Sequence, residues 1–185
     1  EAVETLIAVP CNKQAGESAV TQLTIPATVT EIAPYACTGN TNLTAVNLGN
    51  AQTVHAEAFS RCTNLASVTA PEMRFVESGA FSGTSWAETD GDALTLGKVY
   101  LRYVGTATSV DLQGYESVSE IAFAGNSTLE TVDAGNTLLI IDSYAFMGCE
   151  ALEEVDFSDA NNAVSIGEGI FEMCGDPVVY GSSVN

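Results

Sequence analysis

Few residues in this chain are equipped for chemistry. His55 is the only histidine, so a Ser-His-Asp or Cys-His arrangement would have to use it. It follows the apolar Val54, a position that suits a polar surface side chain. The five cysteines are Cys11, Cys37, Cys62, Cys149 and Cys174. None lies in a Cys-x-x-Cys or Cys/His cluster with zinc spacing, and in an oxidising compartment an odd count leaves at least one free thiol. Glu153, Glu154 and Asp156 are neighbours, but a glycosidase pair needs a cleft around it. Gly167-Glu168-Gly169 continues wrongly for a phosphate loop, and no Gly-x-Ser-x-Gly or dinucleotide fingerprint occurs. The reading is therefore not an enzyme, with no catalytic residue, metal or cofactor assigned.

Charge narrows the partners. The 185 residues include 24 Asp and Glu against 5 Lys and Arg, a formal charge of −19, and 46% of them are apolar. That apolar share implies a packed core rather than a solvated acidic tail. The charge opposes binding to nucleic acid, which needs cations to displace counterions, and to anionic membrane surfaces. No apolar run approaches the roughly 20 residues of a spanning helix, so no membrane insertion is expected. The chain opens Glu1-Ala2-Val3-Glu4 without the basic and apolar regions of a signal peptide. That leaves an intracellular protein or one whose signal has been removed.

The elements that must position these residues repeat. Leu43-x-x-Val46-x-Leu48, then Val54, then Ala58-Phe59-x-x-Cys62 recurs from Leu65, Leu129 and Leu152, with weaker copies from Val20 and before Val110. Unit starts near 20, 43, 65, 107, 129 and 152 give a period of 22–23, with one gap of 42. Period-2 alternation in Leu-x-x-Val-x-Leu marks a short strand with one buried face. A single such unit cannot bury its apolar side, so the units must stack with their strands parallel.

Ala58-Phe59-Ser60-Arg61-Cys62, Ala145-Phe146-Met147-Gly148-Cys149 and Ile25-Pro26…Val29…Ile32…Ala36 resemble the BspA-like leucine-rich repeats of bacterial surface proteins. The resemblance implies a leucine-rich repeat solenoid, with short parallel β-strands on a concave face and irregular or 3-10 turns on the convex side. It also implies an extracellular or cell-surface location and a binding or adhesion module for protein or glycan ligands on host or neighbouring cells. An architectural spacer within a longer surface protein is the alternative. Cys37 departs from the pattern where Phe is usual, and Thr84 and Asn126 do so where Cys is usual.

The expected organisation is a single domain over 1–185. Residues 1–19 form an N-terminal cap or partial hairpin, with Leu6 to Pro10 as its arm or as a simple cap strand. Repeats 1–3 span 20–86, and repeats 4–6 with the C-terminal end span 107–185. Residues 87–106 replace one repeat. There Leu94/Leu96 and Val99/Leu101 alternate around Gly97-Lys98, the signature of a type II′ hairpin, and the family's interruptions often carry a Trp at their start, as at Trp86. Cys62, Cys149 and Cys174 share one repeat position and read as buried small side chains. Cys149 and Cys174 fall roughly 5 Å apart on adjacent strands, but parallel side chains oppose disulfide geometry. Cys11 with Cys37 is the other conceivable pair.

The outward strand positions carry no charge in the first three repeats. In the last three they include Asp111, Glu130, Asp133, Glu153, Glu154 and Asp156. These read either as a solvated face or as a docking face for a partner with a basic segment. A weak calcium site is the lesser version, since no Asp-x-Asp-x-Asp-Gly loop is present.

Overall fold

A computed structural model describes residues 4–6, 20–89, 91–160 and 163–181. The chain divides into two compact units, Glu1–Asp90 and Gly91–Asn185. Each is a stack of short coils, with no helix among the described residues.

In the first unit the strands are β1 (Glu4–Leu6), β2 (Gln22–Thr24), β3 (Val29–Ile32), β4 (Ala45–Asn47), β5 (Thr53–Val54), β6 (Ser67–Thr69) and β7 (Phe75–Val76). They form two parallel sheets, β2-β4-β6 and β1-β3-β5-β7. The first aligns Leu23, Val46 and Val68, the repeating strand residues read from the sequence. The return path, expected as irregular or 3-10 turns, adds a second ladder in which Ile32, Val54 and Val76 are aligned and buried. Glu4–Leu6 pairs parallel with β3 and so belongs to the return sheet. Residues 7–10 of the expected arm lie outside the described residues.

The second unit contains β8 (Ala93–Leu96), β9 (Val99–Tyr103), β10 (Ser109–Asp111), β11 (Ser117–Val118), β12 (Thr131–Asp133), β13 (Ile140–Ile141), β14 (Glu154–Asp156), β15 (Ser165–Ile166) and β16 (Val178–Tyr180). Its sheets are β10-β12-β14-β16 and β15-β13-β11-β9-β8. The expected hairpin is present: β8 and β9 pair antiparallel, and Gly97 has φ 57°, as the first central residue of a II′ turn requires. Strand β9 then pairs parallel with β11 and so takes a coil's place in the return sheet. β16 is a further rung that the sequence pattern did not reveal.

A third ladder runs along the turn of each coil. In the second unit the N–H groups of Ile121, Phe123 and Gly125 donate to the carbonyls of Ser143, Ala145 and Met147 in the next coil, at 3.4, 2.8 and 2.7 Å. Every second N–H joins this ladder, and the first and last donors, Ile121 and Gly125, are left-handed. The left-handed positions recur: Tyr35, Glu57 and Gly79 in the first unit, then Ile121, Tyr144 and Gly169 in the second. For β-branched Ile121, at φ 54°, that conformation is costly. The ladder explains why it is tolerated.

Aromatic rings fill the interior of each stack. Phe59 and Phe81 lie 5.3 Å apart with planes 2° off parallel, and Trp86 meets Phe81 edge-on at 4.9 Å. In the second unit Phe123 stacks on Phe146 at 4.9 Å. Tyr100 of the hairpin stacks on the other side of Phe123 at 4.9 Å, filling the place of a repeat phenylalanine.

Candidate functional site

The six carboxylates singled out by sequence all lie on or beside the first sheet of the second unit. Asp111, Asp133 and Asp156 are direct neighbours in register, as are Thr131 and Glu154. Glu130 and Glu153 precede β12 and β14, and the Glu153 N–H donates to the Glu130 carbonyl at 2.8 Å. Alternation puts Val132 and Val155 in the core and turns the acidic residues outward, where Asp111, Asp133, Glu130 and Glu153 are exposed and Glu154 and Asp156 half-buried. From residue 103 to 185 the sequence has no Lys, Arg or His, so no cation of this unit's sheet opposes them.

The aspartates also have a local task. The Oδ1 atoms of Asp111, Asp133 and Asp156 accept the N–H of Gln113, Gly135 and Ser158 at 2.7, 2.8 and 2.7 Å. Each carboxylate thus closes an Asx turn where its strand ends. Asn47 does the same for Gly49 at 2.9 Å in the first unit, without a charge. The Ser158 hydroxyl, and then its N–H, hold the Asp156 carboxyl below the usual carboxylate range. An uncharged Asn thus closes the same turn, while the negative charge is particular to the second unit; Thr24 and Thr69 hold the position where Pro26 and Pro71 have no N–H to offer. This turn was not read from the sequence, although Asn47-x-Gly49 and Asp133-x-Gly135 carry its signal.

The other sequence candidates take structural places. Cys37, Cys62 and Cys149 are buried, and Cys174 is half-buried. Cys11 lies outside the described residues. The Sγ atoms of Cys62, Cys149 and Cys174 donate to the carbonyls of Cys37, Phe123 and Phe146 in the preceding coil, at 3.0, 3.1 and 3.0 Å. Burial pushes the Cys149 thiol up to about 11 and also raises that of Cys174, which lowers the thiolate share of both. Where Cys is replaced, Thr84 Oγ1 donates to the Phe81 carbonyl at 2.8 Å and Asn126 Nδ2 to that of Gly105 at 2.9 Å. Thus the shared position ties its turn to a carbonyl whatever residue fills it.

His55 is not the plain surface residue expected. It is half-buried in the first unit, with Nδ1 2.8 Å from Glu77 Oε1 and Nε2 3.4 Å from Glu31 Oε2. The second oxygen of Glu77 accepts the Ala56 N–H at 2.8 Å. The Glu77 hydrogen bond raises the imidazole pKa, with help from Glu31 and against burial. The signal was the spacing: His55 and Glu77 follow Val54 and Val76 one repeat apart. Among the described residues no group of three His, Cys, Asp or Glu side chains is placed to hold a metal ion.

This geometry, with strand, return ladder and anchored turn in each 22- to 23-residue coil, defines a class, the leucine-rich repeat proteins. The chain belongs to the BspA-type leucine-rich repeat family, whose model matches residues 13–90 and 97–177 as a region of six copies. Similar solved structures include a leucine-rich repeat protein of T. pallidum, at 22% identity over 85% of this chain and 78% of that one, TM-score 0.43. A leucine-rich cell surface protein of Faecalibacterium prausnitzii matches at 17% identity over 99% and 71%, TM-score 0.39. A leucine-rich repeat protein of Bacteroides ovatus matches at 16% identity over 97% and 64%, TM-score 0.35. No curated protein matches the chain.

Proposed function

We propose that this protein is a non-catalytic interaction module of the bacterial exterior, and that its second unit docks a partner with a basic segment on the β10-β12-β14-β16 sheet. Membership of the BspA-type family supports the binding role and the surface location. The observation that carries the docking face is the run of Glu130, Asp133, Glu153, Glu154 and Asp156 on or just before two adjacent strands, in a unit with no Lys or Arg from residue 103 onward. Like charges in register repel, and a cationic segment laid across the strands would relieve that repulsion. Complementary charge of this kind chiefly raises the association rate and selects the partner.

The test is capture of basic peptides from extracellular matrix proteins at two salt concentrations. Wild-type binding should weaken with salt and be lost when the five residues are replaced by Gln or Asn. A control neutralises Glu150, Asp159, Glu168, Glu172 and Asp176, which lie off the strands of the same unit, and should retain binding. Equal binding by both variants would overturn the docking face.

A further inference from the structure

We propose that the notch beside the hairpin exit is a binding site for a neutral sugar ring, independent of the acidic sheet. The notch is a cavity of about 260 Å³ in the second unit, between the segment that leaves β9 and the turn of the next coil. It exists because the hairpin supplies a strand and a ring to its neighbour but no complete turn. In regular coils the third turn carbonyl accepts an N–H from the preceding coil: Ser60 from Gly39, Ser82 from Arg61, Met147 from Gly125 and Glu172 from Gly148, at 2.7–2.8 Å. Ala124 holds that position in the coil after the hairpin. Its neighbour Ala122 still receives the Tyr103 N–H at 2.7 Å, but among the described residues no donor reaches the Ala124 carbonyl. Space opens there too, since a Cβ added at Gly125 would meet nothing within 4 Å, whereas one at Gly148 would meet Gly125 at 3.7 Å.

The walls specify the ligand's chemistry. Not one lining residue is an acid or a base, although the chain carries 24 carboxylates. Asn126 forms a fixed floor: its amide donates to the Gly105 carbonyl at 2.9 Å, and its Oδ1 accepts the N–H groups of Thr128 and Leu129 at 3.0 and 2.9 Å. The Tyr103 hydroxyl is held by the Ala107 N–H at 3.0 Å. What remains for a ligand is the Ala124 carbonyl as acceptor, the Thr106 and Ser127 hydroxyls as donors or acceptors, and Val104 as a 60% exposed apolar surface. Several hydroxyls with one C–H face are what a pyranose offers to that set. Charged ligands gain no partner here, and purely apolar ones would leave the carbonyl unsatisfied. The volume is slightly below that of drug-sized pockets and suits a single ring, free or at the end of a glycan. A ligand of one ring is expected to bind in the millimolar range.

The experiment is amide-resolved NMR titration of the whole chain with methyl glycosides of glucose, galactose, mannose and N-acetylglucosamine. Oligosaccharides ending in the same sugars are run beside them, to separate a free ring from a glycan terminus. At least one methyl glycoside should give saturable shifts centred on Gly105, Thr106 and Asn126 to Thr128. Thr106→Trp and Ser127→Trp each place an indole at an exposed lining position and should weaken binding at least about tenfold while the other amide signals keep their dispersion. The five-carboxylate variant should bind as wild type does, so this site can fail while the acidic face stands, or the reverse. Absence of saturable shifts with every sugar, shifts that survive both indole variants, or equal shifts with glycerol would overturn the proposal.

Discussion

The imidazole of His55 and the carboxylate of Glu77 meet at 2.8 Å across one coil of the return sheet. Glu31, one coil to the other side, approaches the second ring nitrogen at 3.4 Å. The folded pKa is raised from 6.5. By linkage, this contact's contribution is fully present below about pH 6.5 and is lost as pH rises through the folded value. Urea unfolding of the wild type and of His55→Gln across pH 5–9 should therefore show their stability difference shrinking as pH rises. A difference independent of pH would show that the imidazolium is not held by the two carboxylates.

Asp133 separates turn from charge. Asp133→Asn keeps the oxygen that accepts the Gly135 N–H, as Asn47 does in the first unit, and should leave stability nearly unchanged. Asp133→Ala removes the acceptor and should cost about 1 kcal/mol, read from the denaturant midpoint. Binding of basic peptides should weaken alike in both variants, because both remove the charge.

Phe123 sits between the rings of Tyr100 and Phe146 and is fully buried. Phe123→Ala should destabilise by about 3–5 kcal/mol in chemical denaturation. Phe123→Leu, which keeps much of the volume, should cost markedly less.

Ile121 is 57% exposed and left-handed at φ 54°. Ile121→Asn gives up little burial and relieves a conformation that Asn tolerates. It should raise stability by about 0.5–1 kcal/mol, seen as an increase in Tm.

Cys174 is half-buried while Cys149 is fully enclosed, with its thiol pKa at about 11. Iodoacetamide at pH 8 on the native protein, followed by mass mapping, should modify Cys174 well before Cys149. Equal rates would contradict the packing of that turn.

Much of the fold was legible because it is periodic. Leu43, Val46 and Leu48 announce a strand by alternation, and the 22- to 23-residue recurrence forces the strands into parallel register. Gly97-Lys98 announced the hairpin by local turn chemistry. What was not legible depends on contacts between coils. Val54 and Val76 were readable as buried anchors, but their alignment as a second ladder requires knowing that the turns stack. Ile121 gives no sequence hint of a left-handed backbone, since cross-coil hydrogen bonds impose it against local preference. The acidic positions were found by alternation alone. The Asx turns closed by Asp111, Asp133 and Asp156 involve a side chain folding back two residues, which alternation does not register. The notch at Ala124 was invisible for the same reason, as it records a donor the hairpin does not supply.

The hairpin has a consequence for how such chains diversify. Strand β9 presents to the following coil a ring, Tyr100, on Phe123, and a backbone donor, Tyr103, to the Ala122 carbonyl. Those are the groups a repeat would offer at the same places. The following coil responds to this short interface and not to the ancestry of the piece that provides it. The exposed positions of the outer strand, Ala93 and Thr95, are then free to vary in composition, whereas Leu96 is held by the core, Gly97 by the turn and the Lys98 carbonyl by the N–H groups of Glu116 and Ser117. The interruption is in effect an adapter, through which a regular array acquires irregular surface.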